Sequence, residues 1–464
     1  MNHVDLVVRG GLVASAQGAF TADIGIDGDR IVQVGGSLEG TEEISAAGKL
    51  VLPGGIDVHV HLSSGRPSSP SSYAWVDNFY SGSLAAIAGG VTTFGNMTFP
   101  WPGDTLDQAL ARDLEQARND AAVDYILHPV LFDPSEQARL ALPALAEKGF
   151  RTLKIFLTET TFNSRINEFL EAIAIAAEHG VLVLMHCEDG ALLDAISTNL
   201  TRLGRTDISE YALSRPDFVE EAAIQRAVSI SQTLNAAVYA VHVSSAKAIQ
   251  VGRAAKGRGL PFFVETRPMY LHLTSEALRA PDGPKFVGAP PLREVEDATA
   301  LWLALQDGTV DTVASDHAPW SLEAKLDQRL DFRTARQGVA DLETSLPMLF
   351  SEGVRTGRLS LSRFVELVSA KPAQLFGLWP RKGVIAPGSD ADLAIWDPTY
   401  EYVIEAARHQ SRADYSVYEG RKVTGAPVTV ISRGEIVMSD RVVSAQRGRG
   451  VWLAARPPSR WRRS

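Results

Sequence analysis

Apolar positions along this chain change rhythm twice. Over the first fifty residues they fall in short β-forming clusters, Val4-Asp-Leu-Val-Val-Arg9, Ala22-Asp-Ile-Gly-Ile-Asp27 and Arg30-Ile-Val-Gln-Val34, with Asp27-Gly28 a good hairpin turn. The same texture returns after Pro380, in Ala391-Asp-Leu-Ala-Ile-Trp396, Val428-Thr-Val-Ile431 and Ile436-Val-Met438. Neither end is long enough for a core of its own, so the two are expected to pair into one small β-sandwich. Between them, short apolar runs at 51–61, 91–97, 125–132, 151–157, 181–186, 238–243, 261–266 and 310–315 alternate with helical patterns such as 108–118, 165–178 and 216–234. Eight strands with helices between them, over roughly 330 residues, predict an α/β fold, a parallel TIM (β/α)8 barrel with insertions. An open doubly wound sheet is the alternative, but no G-X-G-X-X-G fingerprint follows an early strand. The expected layout is therefore a sandwich from residues 1–52 and 383–448, a barrel over 53–382, and a basic tail over 449–464.

Composition narrows the function classes. The chain has 464 residues, 45% hydrophobic and 22% charged, and no apolar run long enough for a bilayer. A net charge of −10 argues against nucleic acid or an anionic membrane as the main partner. The single cysteine, Cys187, excludes an internal disulfide and suits a reducing cytoplasm. The first residues lack the basic and apolar regions of a signal peptide. Arginines from Arg447 to Arg463 make the tail basic, and a solvated, partly disordered end is expected there.

Chemistry collects at the predicted strand ends, where barrels carry their active sites. The first strand ends in His59-Val-His61, and alternation along a strand turns both imidazoles to one side. The fourth carries Lys154 in an otherwise apolar run, the fifth runs into His186, the sixth into His242, and the eighth into Asp316. One such histidine is ordinarily a hydrogen-bonded structural residue; four, with a lysine and an aspartate at the same mouth, read as a metal site. Burial beside cations disfavours a charged lysine. A neutral amine can add carbon dioxide, and the carbamate offers one oxygen to each of two ions. His59, His61 and Asp316 would then hold the more buried ion, His186 and His242 the more exposed one, and Lys154 would bridge them, about 3.5–4 Å apart. A water between the ions would be acidified toward neutral pH and attack a polarised carbonyl, with Asp316 as the catalytic proton carrier to the leaving nitrogen. Zinc, manganese and cobalt all accept this ligand set.

With these residues in place, the chain resembles the cyclic amidohydrolases, the hydantoinase and dihydropyrimidinase group of the amidohydrolase superfamily. The likeness extends to Pro53-Gly-Gly-Ile-Asp57, Gly89-Gly-Val-Thr-Thr93, Glu265-Thr-Arg-Pro-Met-Tyr270, Pro290-Pro-Leu-Arg293, Glu343-Thr-Ser-Leu-Pro347, Lys371-Pro-Ala-Gln-Leu-Phe376 and Gly388-Ser-Asp-Ala-Asp392. The resemblance implies a carboxylated lysine, two divalent ions that are usually zinc, a homotetramer, and hydrolysis of a C–N bond in a cyclic amide or ureide. Three departures bear on substrate. Ser63 stands where dihydroorotases carry an arginine for the substrate carboxylate. Glu159 stands five residues after the bridging lysine, where hydantoinases typically place a tyrosine that steadies the oxyanion. Ala289 and Gln337 replace a serine and an asparagine that contact the ring, and could do so through backbone groups. The loop 63–80 carries Tyr73, Trp75, Phe79 and Tyr80, which form either an apolar lid over the substrate or ordinary packing on the rim. The alternative to a ring substrate is a non-ring amide, carbamate, thiocarbamate or urea; a non-catalytic scaffold would have lost ligands that this chain keeps.

Overall fold

Gly54 divides the stretch 51–61, which the sequence presents as one strand. A Cβ at that position would collide with the Thr92 side chain, and the amide of Gly54 donates instead to Asp392 O at 2.9 Å. The chain therefore leaves one sheet and enters another at this point. In the computed structural model, which describes residues 2–62 and 74–457, the N-terminal part forms β1 (Asn2–Ser15), β2 (Gly18–Asp27), β3 (Arg30–Val34), β4 (Leu38–Ser45) and β5 (Leu50–Pro53). The barrel follows with β6 (Gly55–Val60), β7 (Val91–Thr98), β8 (Asp124–Pro129), β9 (Thr152–Phe156), β10 (Leu182–His186), β11 (Val238–Ala240), β12 (Phe262–Thr266) and β13 (Thr312–Val313). The C-terminal part adds β14 (Leu393–Val403), β15 (Lys422–Ser432), β16 (Glu435–Ser439) and β17 (Val442–Val443).

Both chain ends share one nine-stranded sheet, in which β5 lies between β14 and β1. The barrel strands form parallel sets β6-β7-β8 and β9 through β13. Single parallel bridges, Val130 to Lys154 and Val60 to His317, join the two sets into a closed ring. The eighth strand is shorter than its sequence suggests because the Ser315 amide donates to the Asp57 carboxylate at 3.0 Å rather than to a neighbouring strand. Amphipathic helices cover the outside, among them Leu106–Asp120, Ile166–Glu178 and Asp217–Leu234, close to the predicted segments. No helix among the described residues is long and apolar enough to cross a membrane.

The barrel interior is apolar at its lower end. Ile56, Val58, Met97, Leu182, Leu184 and Tyr239 pack there with Leu375, Phe376 and Leu378. Leu453 joins them at 1% exposure, because the Tyr125 amide donates to Val451 O at 3.0 Å and the Leu453 amide donates to Tyr125 O at 2.9 Å, which lays this segment along β8. The expected solvated tail is thus wrong for residues 449–453, where apolar Val451 and Leu453 outweigh the flanking charge. Arg449 itself donates to Ala122 O and Ser432 O. Arg460, Arg462 and Arg463 lie outside the described residues.

Barrel and sandwich are clasped by charge. Lys382, 2% exposed, donates to Asp124 at 2.6 Å and pairs with Asp390 at 2.9 Å and with Asp392. These three aspartates could in principle hold a cation, but the ammonium already occupies their centre. Removing one member of such a cluster strands the others in a dry interior. Lys382→Met should therefore lower unfolding free energy by about 3–5 kcal/mol, read from the denaturant midpoint.

Inside the barrel, His128 bonds to Thr152 Oγ1 at 2.8 Å and Val58 O at 3.0 Å, and burial holds the ring neutral by lowering its pKa to about 3. Unfolded, it takes a proton near its ordinary 6.5. Stability should therefore fall as pH drops from about 6.5 toward 3, with His128 contributing up to about 1.4 kcal/mol per pH unit. Denaturation across that range should show a shallower slope in His128→Gln.

Candidate metal centre

All six predicted ligands come from the upper ends of barrel strands, and all are buried. His59 lies in β6 and His61 just beyond it, with ring centres 5.4 Å apart. Lys154 lies in β9, His186 ends β10, His242 follows β11, and Asp316 follows β13. His242 and Asp316 both take left-handed backbone, with φ of 42° and 50°. That conformation is unfavourable for residues with a Cβ and persists where surrounding structure imposes it.

Donor atoms meet in two groups. His59 Nε2 and His61 Nε2 lie 3.1 and 2.8 Å from Asp316 Oδ1. His186 Nδ1 lies 3.0 Å from His242 Nε2. His59, His242 and Asp316 each offer a ligand atom within 4.8 Å of the others, which joins the groups. Lys154 Nζ is sealed from solvent without a hydrogen-bond partner, as are His61 Nδ1 and His242 Nδ1. An unpaired ammonium is costly in such a place. Burial accordingly lowers the Lys154 pKa to about 8, which brings the neutral amine within reach near neutral pH. Neutral imidazoles, one carboxylate and an orphaned amine fit divalent cations.

Partners behind the ligands set their tautomers. Glu265 Oε1 accepts from His59 Nδ1 at 2.9 Å, which leaves Nε2 to present its lone pair. The same carboxylate takes the Tyr239 hydroxyl and the His242 amide, each at 2.8 Å. Glu188 Oε2 accepts from His186 Nε2 at 2.8 Å, and Arg215 Nε holds Glu188 at 2.9 Å. Burial lowers His59 to about 3 and His61 to about 4, so both are neutral at physiological pH. Burial alone would raise Asp316, but the His59 ring and the Arg267 guanidinium outweigh it and hold that carboxyl well below its ordinary range. Arg267 Nη1 donates to Asp316 Oδ2 at 2.9 Å. Sequence reading did not assign roles to Glu188, Arg215, Glu265 or Arg267. A carboxylate at the end of the apolar run Phe262-Phe-Val-Glu265, and another two residues past His186, were the available signals.

The predicted substrate contacts divide. Trp75 stands at the mouth, its ring 5.0 Å from His61, 5.9 Å from Phe99 and 6.2 Å from Trp320. Gln337 is exposed, and its carbonyl accepts the Trp320 indole N–H at 2.8 Å. Ala289 is half-buried. Glu159 is exposed at the start of the helix Thr160–Ser164, and its side chain does not cap that helix. Phe79 packs in the core against Phe94 and Tyr125, and Tyr80 lies under Arg447, so neither belongs to a lid. Ser63 and Tyr73 lie outside the described residues.

Residues 50–437 match the Amidohydrolase family. The chain belongs to that family. It is 38% identical to a D-hydantoinase of Ralstonia pickettii over 443 residues, 94% of this chain and 96% of the relative. It is 36% identical to a D-phenylhydantoinase of Escherichia coli O1:K1 over 460 residues, 97% of this chain and 98% of that one. Among solved structures, dihydropyrimidinase from Brevibacillus agri superposes with a TM-score of 0.93 at 35% identity, covering 98% of this chain and 99% of the other. L-Hydantoinase from Arthrobacter aurescens superposes with a TM-score of 0.88 at 30% identity, covering 97% and 100%. The amidohydrolase barrel with its sandwich is thus the fold of this chain. In this amidohydrolase, Glu265→Gln should weaken divalent-metal affinity about 10–100-fold in a chelator competition, since it loosens His59 without removing a ligand.

Proposed function

We propose that this amidohydrolase opens the C–N bond of a cyclic amide or ureide of hydantoin or dihydropyrimidine type. The observation that carries the reading is the convergence of five strand-end donors, His59, His61, His186, His242 and Asp316, beside a buried, unpartnered Lys154 amine. In this reading His59, His61 and Asp316 would hold one divalent ion, His186 and His242 would hold a second, and carboxylated Lys154 would serve as a ligand to both. Bound there, the ions supply polarisation of the scissile carbonyl and acidification of a water toward neutral pH. Zinc is the expected metal, with manganese or cobalt acceptable to the same donors.

The chain's own groups do the rest. Glu265 and Glu188 keep His59 and His186 in the tautomers that present a lone pair inward. Arg267 keeps Asp316 ionised, so the carboxylate can take the proton of the attacking water. The same guanidinium makes the protonated carboxyl a strong acid, which favours handing that proton to the leaving nitrogen. The Trp75 and Phe99 rings beside His61, with Trp320 against Trp75, exclude water from one flank of the substrate. The amidohydrolase is further read as a cytoplasmic homotetramer acting on a small molecule.

A second reading keeps this machinery and moves the substrate to a non-ring amide, carbamate, thiocarbamate or urea. It draws on Glu159, an exposed carboxylate where hydantoinases typically carry a phenol. Metal analysis with turnover of hydantoins, dihydrouracil, allantoin and a linear carbamate and urea series decides between them. Near two metals per chain with ring opening is expected; activity confined to linear substrates would replace the first reading with the second. Lys154→Ala should lose both metal and turnover, and full retention of either would sink the bridging carbamate.

A further inference from the structure

Lys325 ends the short helix Leu322–Lys325 at 1% exposure, beside the mouth of the site but outside the six ligands. Its ammonium donates to Val287 O at 2.7 Å, Arg336 O at 2.6 Å and Gly338 O at 2.9 Å. Three protons meet three acceptors, so the group is satisfied as a cation. All three acceptors are peptide carbonyls, and burial, with the positive Arg267 and Arg336 nearby, pushes the Lys325 pKa well below the usual lysine range, so its geometry as a triple donor is held at a cost. A buried charge without a counter-ion is a costly way to hold two loops together when a neutral donor would serve.

What the charge does follows from peptide geometry. In a trans peptide the C=O and the next N–H point in opposite directions. Carbonyls of Val287 and Arg336 turned toward Lys325 therefore turn the N–H groups of Gly288 and Gln337 away from it. Neither N–H finds an acceptor among the described residues. The two segments are also locked to each other, because Gly338 N donates to Val287 O at 3.1 Å. Glycine is required at 338, where φ is 113° and a Cβ would strike Ala318. A Cβ at Gly288 would press on Arg267 Nη1 at 3.2 Å, the nitrogen that holds Asp316. Both loops thus lie directly against the catalytic strand ends, and they carry Ala289 and Gln337, whose side chains offer a methyl group and an exposed amide.

We propose that Lys325 is a positioning residue: it draws two peptide units inward so that the Gly288 and Gln337 N–H groups face a carbonyl or carbamoyl oxygen of the substrate. This rests on the reading of the site as an amide hydrolase. Lys325→Met, in the metal-loaded enzyme, should keep its metal content and raise KM about tenfold or more, the worth of one or two uncharged hydrogen bonds, with a smaller change in kcat. Lys325→Gln, which keeps two N–H donors without the charge, should fall between the two and serves if Lys325→Met does not fold. Lys382→Met is the control, a buried lysine whose loss costs stability far from the mouth and leaves KM alone. The assay uses whichever ring or linear substrate the wild type turns over, so failure of the ring reading is seen in the wild type and failure of this proposal only in the variants. An unchanged KM in a destabilised Lys325 variant, or an equal rise in Lys382→Met, would overturn it.

Discussion

Asp316 must be an anion where there is almost no water to solvate it. Its two oxygens solve this in different directions. Oδ1 faces the nitrogens of His59 and His61, and Oδ2 receives the Arg267 guanidinium. The left-handed backbone at Asp316 holds the carboxylate between these partners, at a conformational cost. Much of the surrounding order follows. Arg267 needs the space under Gly288, the Asp57 carboxylate takes the Ser315 amide, and β13 is cut short to let the chain turn.

Charge is distributed through this molecule by depth as much as by sign. The lower barrel is filled mainly with apolar side chains and sealed by Leu375, Phe376, Leu378 and Leu453, and the His128 ring packed on Phe376 is kept neutral there by burial. Polar groups gather at the upper rim and at the barrel–sandwich seam. At the seam, Lys382 answers three aspartates and joins two sheets. At the rim, Lys325 answers only carbonyl dipoles and shapes loops. The same residue type is a rivet in one place and an orienting charge in the other, because its partners differ.

Much of the fold was legible because its elements are local. The alternation of apolar runs with helical patterns marks the barrel strands within a residue or two for β7, β9, β10 and β12. Misreadings occurred where a distant atom overrides local preference. The break at Gly54 depends on Thr92, and the short β13 depends on Asp57. Arginines dominate the tail's composition and point to a solvated end, yet Leu453 finds an apolar socket that exists only after the barrel closes.

The site divides along the same line. Sequence by itself singled out the groups that meet at the barrel mouth: His59, His61, Lys154, His186, His242 and Asp316 stand out because polar residues interrupt apolar strands at their ends. It also placed His59 and His61 on one face, since strand periodicity is a backbone property. Only the tertiary structure decided which nitrogen His59 and His186 present, that Glu265 and Glu188 decide it, that Arg267 stands behind Asp316, and that Lys325 gathers two rim loops. The widest of these contacts spans 206 positions, between His59 and Glu265, and even Glu188, two residues from His186, is held by Arg215 from 27 positions away. Hydrogen bonds act over about 3 Å and burial is set by the whole surrounding shell, so neither can be read from neighbours along the chain.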